Sequence, residues 1–168
     1  ANTLIDIGGS SGLLSLLVAK HQPHMTCISW DLPEVAPIAS ETIAQFGLQD
    51  RVKAASGDFF KDDLPAADIL VMGNILHDWD QETKIMLMKK AFDALPQDGV
   101  FVAIENVVDP ERVENTFSLL MSLNMLIETG SGFEYSLGEF ADWAKQIGFT
   151  STGIMPLTGP TSAAIAYK

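Results

Sequence analysis

Apolar and polar positions along this chain follow two periods that take turns. Five short apolar runs have the length of buried strands: TLIDIG (Thr3–Gly8), MTCISWDL, RVKAASGDF, ADILVMGN and GVFVAIENVV. Between them, apolar residues recur at three- and four-residue spacing, as on one face of a helix. Leu13, Leu16, Leu17 and Lys20 predict a first helix. Val35, Ile38, Ala39, Ile43 and Phe46 predict a second, from Glu34 to Phe46, with Gly47 as its stop. Ile85, Met88, Phe92 and Leu95 form the stripe of a third, opened by Asp80 as N-cap and ended by Pro96. From about Val113 to Glu128 the period is helical, but the segment is apolar nearly all round. Ser136 with Glu139 three residues on is a capping-box signature for a helix to about Ile147.

Strands that alternate with helices imply an α/β fold with a doubly wound, Rossmann-like parallel sheet. The tail changes character. FTSTGIMPLTG and SAAIAYK read as two strands joined by a short turn around Gly159 and Pro160. So short a link makes them antiparallel, because a parallel crossover needs about a dozen residues or more. No internal repeat or interdomain linker interrupts the pattern, so residues 1–168 are read as one domain.

Composition narrows the partners. With 47% hydrophobic and 19% charged residues, the chain is globular rather than disordered. A net charge of -12 repels phosphate backbones and argues against nucleic acid. The single cysteine, Cys27, has no internal disulfide partner; it reads as a core residue and fits a reducing, cytoplasmic setting. No apolar run approaches the ~18 residues of a membrane span, and no signal peptide is visible. A buried-type strand begins almost at residue 1, so the chain is expected to be a fragment of a longer protein.

In open α/β sheets ligands sit outside the carboxyl ends of the strands. The predicted first strand ends in Asp6, Gly8, Gly9, Ser10 and Gly12, the second in Asp31, the third in Asp58 and Phe59. The fourth offers His77, Asp78, Trp79 and Asp80, and the fifth Glu105. Glycines between strand and helix allow a tight turn and close approach of a ligand. Their spacing, GGSSG, is not the dinucleotide GxGxxG, and no phosphate-binding lysine follows, which argues against NAD and phosphoryl transfer. Asp31, about 20 residues on, can bind ribose hydroxyls or cap a helix. Asp58 with Phe59 suits an adenine, the first accepting its amino group and the second stacking; ordinary packing also accounts for Phe59 and Phe60. Strand-end acids without bases suit a cofactor that carries positive charge and no phosphate, which points to S-adenosylmethionine.

The motifs LIDIGGSSG, DLPEV, SGDFF, NILHDWD, IENVVD and SLNMLIETG, in this order, resemble the small-molecule O-methyltransferases. The most similar group holds acetylserotonin methyltransferase, plant caffeate and flavonoid enzymes and bacterial polyketide-tailoring enzymes. The resemblance runs from Leu4 to Lys168 and implies a seven-stranded methyltransferase sheet whose last strand is antiparallel. It implies transfer of a methyl group from S-adenosylmethionine to a hydroxyl of a small aromatic molecule, with His77 as general base. By the same resemblance Glu105 and Glu134 flank the base. Asp6, Gly8, Gly9, Gly12, Asp31, Leu32, Asp58, Phe59, Asn74 and Trp79 serve the cofactor. Met121, Asn124 and Met125 wall the acceptor pocket, or pack the core of an apolar helix. Members also carry an N-terminal helical domain that dimerises and helps close the pocket. Nothing in this chain corresponds to it, so a homodimer is expected of the full-length protein only.

The chemistry agrees with a histidine in that role. Methyl transfer from a sulfonium is an in-line displacement, and a phenol is a poor nucleophile until it loses its proton. Imidazole titrates nearest neutral pH. His21 and His24 flank a proline and read as surface residues. The chain departs from the family in two places. Glu134-Tyr135-Ser136 stands where many relatives have Glu-Arg-Thr, and Gly73 stands where plant members have a lysine. Relatives that bind the same cofactor but decarboxylate or hydroxylate polyketides are the alternative within the fold. A non-catalytic ligand-binding module is the alternative outside catalysis. No metal site is expected, since Asp78 and Asp80 are separated by Trp79.

Overall fold

The computed structural model describes residues 1–168. The first half runs β1 (Thr3–Ile7), α1 (Leu13–His21), β2 (Thr26–Asp31), α2 (Ala36–Phe46), β3 (Val52–Ser56) and β4 (Ile69–Gly73). After a 3-10 turn at Leu76–Asp78 come α3 (Gln81–Ala94), β5 (Val100–Glu105), α4 (Thr116–Thr129), α5 (Leu137–Ile147), β6 (Ser151–Pro156) and β7 (Ser162–Tyr167). The sheet has seven strands in the order β3-β2-β1-β4-β5-β7-β6. β7 runs antiparallel between β5 and β6, and the other neighbouring pairs are parallel. The expected α/β sheet with an antiparallel last strand is therefore present. The strand order reverses between β1 and β4, which opens a crevice above their carboxyl ends.

Strand alternation divides the core between the two faces. Leu4 and Val71 join Leu16, Ala19, Ala39 and Ile43 under α1 and α2. Ile5, Ile7, Leu70, Met72 and Phe101 join Leu87, Met88, Ala91, Phe140 and Trp143 under α3 and α5. In β5 the buried positions are Phe101, Ala103 and Glu105, so the period that buries an aromatic ring also buries a carboxylate.

Three helical readings shift in detail. In α1 the buried face is Ser15, Leu16 and Ala19, while Leu13 and Leu17 are half exposed. In α2 the buried residues are Ala39 and Ile43, and Ile38 and Phe46 are exposed. In both helices small residues let the backbone close on the sheet, and a stripe chosen by apolar size misses that ridge. The helix expected from Val113 begins at Thr116. The Asp109 carboxylate accepts the N–H groups of Val113, Glu114 and Asn115 at 2.9, 3.1 and 3.1 Å and holds them in a turn. Asn115 then caps the helix by accepting from the N–H of Ser118 at 3.3 Å. Only Ser118 and Met125 of α4 are buried; Phe117, Leu120, Leu123, Leu126 and Ile127 lie exposed. The predicted caps form. Asp80 accepts from the N–H of Thr83 at 2.8 Å, and Ser136 and Glu139 make the reciprocal capping box. No helix is long and apolar enough to cross a membrane.

Candidate active site

A cleft of about 340 Å³ opens at the strand ends, lined by Gly8, Trp30, Asp31, Leu32, Gly57, Asp58, Phe59, Phe60, Ile75 and Trp79. The glycine turn forms one wall. The N–H groups of Gly8 and Gly9 donate to the Trp30 carbonyl at 2.8 and 3.3 Å. Gly8 has φ +72°, a conformation that favours glycine, and a Cβ there would lie 2.3 Å from Ile75 Cδ1, so that side chain would have to shift. Asp31 ties this turn to the end of β2: its Oδ2 accepts from the Ser10 N–H at 2.8 Å and its Oδ1 from the Leu32 N–H at 2.7 Å. It caps no helix, because α2 starts at Ala36 with Val35 before it and no side-chain cap.

Asp58 accepts from the Phe60 N–H at 2.9 Å and pairs with Lys61 at 2.7 Å. The Lys61 hydrogen bond, then that of Phe60, holds its carboxyl below the ordinary range. Phe60 packs edge-on against Phe59 and Trp79, with ring centroids 4.9 and 4.8 Å apart. Of the residues expected at the cofactor, Gly8, Asp31, Leu32, Asp58, Phe59 and Trp79 line the cleft. Asp6, Gly9, Gly12 and Asn74 do not. Asp6 is buried, and burial, then the Asp31 charge, pushes its pKa to about 7. Gly12 sits at the N-terminus of α1 with φ +77°, and Asn74 is exposed just after β4.

The second half of the site lies around the turn Leu76–Asp78. Glu105, fully buried, accepts through Oε1 from the backbone N–H of Ile75 at 3.1 Å and of His77 at 3.0 Å. The ring of His77 meets a different acid: Nδ1 lies 2.8 Å from Glu134 Oε1. Nε2 lies 3.5 Å from Asp78 Oδ1. Of the two glutamates expected to flank the base, Glu105 thus holds the backbone and Glu134 holds the imidazole. Register explains the exchange. Ile104 pairs with Gly73, so Glu105 stands level with the backbone where β4 leaves the sheet and reaches its N–H groups first.

Glu134 arrives on a loop that lies against the turn. Gly132 makes this possible, since a Cβ there would lie 2.5 Å from the His77 carbonyl oxygen. The Glu134 N–H donates to Ser122 Oγ of α4 at 3.0 Å, and α4 packs on the turn itself. Among the residues expected at the acceptor, Met125 is buried and Met121 half-buried, whereas Asn124 is exposed and donates to Glu128 at 3.0 Å.

The electrostatics follow from burial. Burial alone lowers the His77 pKa, but the Glu134 hydrogen bond and the charges of Glu105, Glu134 and Asp78 together raise it above the ordinary value. Burial pushes Glu105 to about 7. With Glu134 accepting, Nδ1 carries the hydrogen and Nε2 keeps a lone pair free to take a proton.

Several site residues escaped sequence reasoning. Ordinary packing was the alternative for Phe60, and Trp30 and Ile75 lie in apolar runs that single neither of them out. Gly57 had a signal in the SGDFF run: a Cβ there would lie 2.2 Å from Trp30 Cζ2. Lys84 is fully buried on α3, where it shares the stripe of Leu87, Met88 and Ala91; that spacing was its only signal. No three or more His, Cys, Asp or Glu side chains gather as a metal-binding group.

Comparison with known proteins covers nearly the whole chain. Residues 1–150 match the family model described as the O-methyltransferase domain. The chain is 34% identical over 167 residues to the tetracenomycin polyketide synthesis 8-O-methyl transferase TcmO of Streptomyces glaucescens, a match covering 99% of this chain and 49% of that protein. It superposes on an O-methyltransferase family 2 protein from Planctomyces limnophilus in complex with apigenin with a TM-score of 0.94 and 29% identity, covering 100% of this chain and 51% of that one. Human N-acetylserotonin methyltransferase in complex with SAM gives 0.90 and 28%, covering 99% and 47%. The chain thus spans about half the length of the relatives it matches.

Proposed function

The chain belongs to the O-methyltransferase domain family, and from that premise we propose that it binds S-adenosylmethionine and carries the machinery for methylating a hydroxyl of a small aromatic molecule. The cleft fits such a cofactor. Its lining offers two carboxylates, aromatic and aliphatic surface, and no lysine or arginine, which suits a neutral nucleoside joined to a sulfonium. Asp31, Leu32, Asp58, Phe59 and Trp79 would hold it. When bound, it supplies an electrophilic methyl group.

The rest is the work of this chain's own residues. His77 Nε2 takes the proton of the acceptor hydroxyl. Glu134 fixes the tautomer and meets the imidazolium charge, in a buried setting where that attraction is strong. Glu105 holds the turn through two backbone N–H groups, so the ring is aimed before substrate arrives. The polyketide and apigenin in the relatives' descriptions support an aromatic acceptor. The uncovered apolar residues of α4, with the half-length span of the match, support a preceding helical domain that covers this helix and pairs two chains in the full-length protein.

The observation that carries the reading is the buried His77–Glu134 contact of 2.8 Å. The test is turnover of the full-length protein with labelled S-adenosylmethionine and a panel of phenols. His77→Gln keeps size and hydrogen bonding but takes no proton at neutral pH. It is expected to lower kcat by about 10²–10⁴ with cofactor affinity close to wild type. Full methyl transfer by this variant would reduce His77 to a structural role.

A further inference from the structure

Five charged side chains are buried in this chain: Asp6, His77, Lys84, Glu105 and Glu134. Four of them surround one turn, and Lys84 is the only lysine or arginine among them. Glu105 and Glu134 each keep one carboxylate oxygen without a hydrogen-bond partner. Two buried carboxylates need compensating charge, since the desolvation of each is costly. Lys84 is placed to give it. Its ammonium donates to the Trp79 carbonyl, two residues past His77. It also sits 3.5 Å from the centroid of the Phe133 ring, one residue before Glu134. One side chain of α3 therefore touches both the segment that carries the imidazole and the segment that carries its partner.

We infer that Lys84 is a positioning residue of this site, clamping the His77 turn to the Glu134 loop and supplying the positive charge that lets His77 release its proton beside two buried glutamates. Its use in methyl transfer rests on the general-base reading above; its coupling to His77 does not. Glu105 and Glu134 bring two carboxylates to the cluster against one ammonium from Lys84, which leaves a place for one more proton on His77. Without Lys84 both carboxylates face the imidazole alone. The ring then binds its proton more tightly, and less of it is present as free base near neutral pH. The groups that act on this balance are Glu105 from β5, Glu134 and Tyr135 from the loop before α5, Asp78 and Asp80 around the turn, and Glu128 of α4 through Asp78. Arg112 reaches only the Glu134 carbonyl, at 3.4 Å, and pairs with Glu139. Burial lowers the Lys84 pKa to about 8 against the pull of those acids, so it stays mostly charged at neutral pH.

The chain has three histidines, so NMR titration of its imidazole signals resolves the question, with His77→Gln assigning the buried one. In Lys84→Met the His77 midpoint is expected to rise by roughly one pH unit, and in Lys84→Arg to return toward wild type. In the full-length enzyme the alkaline-rising limb of kcat against pH should move up by the same amount, with little change in KM. An unmoved His77 midpoint in folded Lys84→Met overturns the inference. If that variant does not fold, the coupling of Lys84 to the buried acids beside His77 is read instead. Lysine-labelled wild type should show one lysine titrating far below the rest, and Glu134→Gln should lower it further; an unchanged lysine overturns the inference equally. Loss of the general-base reading, through an active His77→Gln, would leave these titrations standing.

Discussion

The cleft and the histidine cluster lie side by side at the strand ends, yet they are built on opposite terms. In the cleft, Asp31 and Asp58 keep contact with solvent and bind backbone N–H groups one at a time. Each is a local contact whose loss is felt locally. Around His77 the charged groups are buried together, and the protonation of His77 and of Glu105 depends on their neighbours. The cleft is thus specified by shape and backbone, and the histidine cluster by a shared charge balance. Substitutions should separate the two: cleft variants should change affinity, and cluster variants should change rate and pH dependence.

The largest effect is expected where shape intrudes on the cluster. Gly132→Ala sets a methyl group against the His77 carbonyl and must lift the Glu134 loop. In the full-length enzyme kcat should fall by about 10² or more while cofactor binding holds, because a displacement near 1 Å is worth that much. Isothermal titration beside steady-state kinetics would show this, and a loss confined to affinity would blur the contrast. Next comes a difference between the two glutamates. Glu134→Gln removes the charge that meets the imidazolium and should cost roughly 10-fold to 10²-fold in kcat, with a shifted pH limb. Glu105→Gln should cost less, since a group with a pKa of about 7 is already part neutral and the amide oxygen still accepts from Ile75 and His77. Equal costs would mean that Glu105 acts on the ring after all.

Asp31→Ala should weaken cofactor binding by about 1.5–3 kcal/mol for each charge-assisted bond lost, with kcat at saturation nearly unchanged. The smallest effect is on stability. Asp6 holds its proton in the folded state up to about pH 7, against an ordinary value of 3.8. The folded state therefore binds more protons than the unfolded state between those values, and stability falls as pH rises through that window. Glu105 acts with the same sign, and so does His77 as pH rises through its raised pKa. Asp6→Asn removes one part of this slope, readable as urea midpoints across the window. An unaltered slope would place Asp6 outside the set of strained acids.

The parts of this architecture that a sequence shows best are those decided within a few residues. Strand alternation, Asp80 as a cap and the Ser136–Glu139 box all form as read. His77 stood out by its place after the fourth strand and by the LHDW motif that carries the resemblance. The choice of its partner was not, because it depends on a loop 57 residues away lying down on Gly132. Lys84 was overlooked for a related reason. A lysine on an amphipathic helix reads as solvated; the Trp79 carbonyl, the Phe133 ring and the nearby acids together make its burial tolerable. The start of α4 was set by Asp109, a turn-forming acid whose three N–H contacts leave no trace in the apolar period.

The position of β7 has a consequence for how the protein is made. One edge of β5 is filled by β4, but the other waits for Ser162–Tyr167, with Phe101 opposite Ala166 and Glu105 opposite Ser162. Until that segment leaves the ribosome, an apolar strand has an open edge, the kind that recruits foreign strands. Long-range pairing of this sort is also slow to form. A nascent chain halted before Ser162 would hold β1 to β4 with their glycine turn, while the strand bearing Glu105 remained half paired. Chaperone demand and misassembly during synthesis should therefore concentrate on the half of the molecule that holds the histidine cluster.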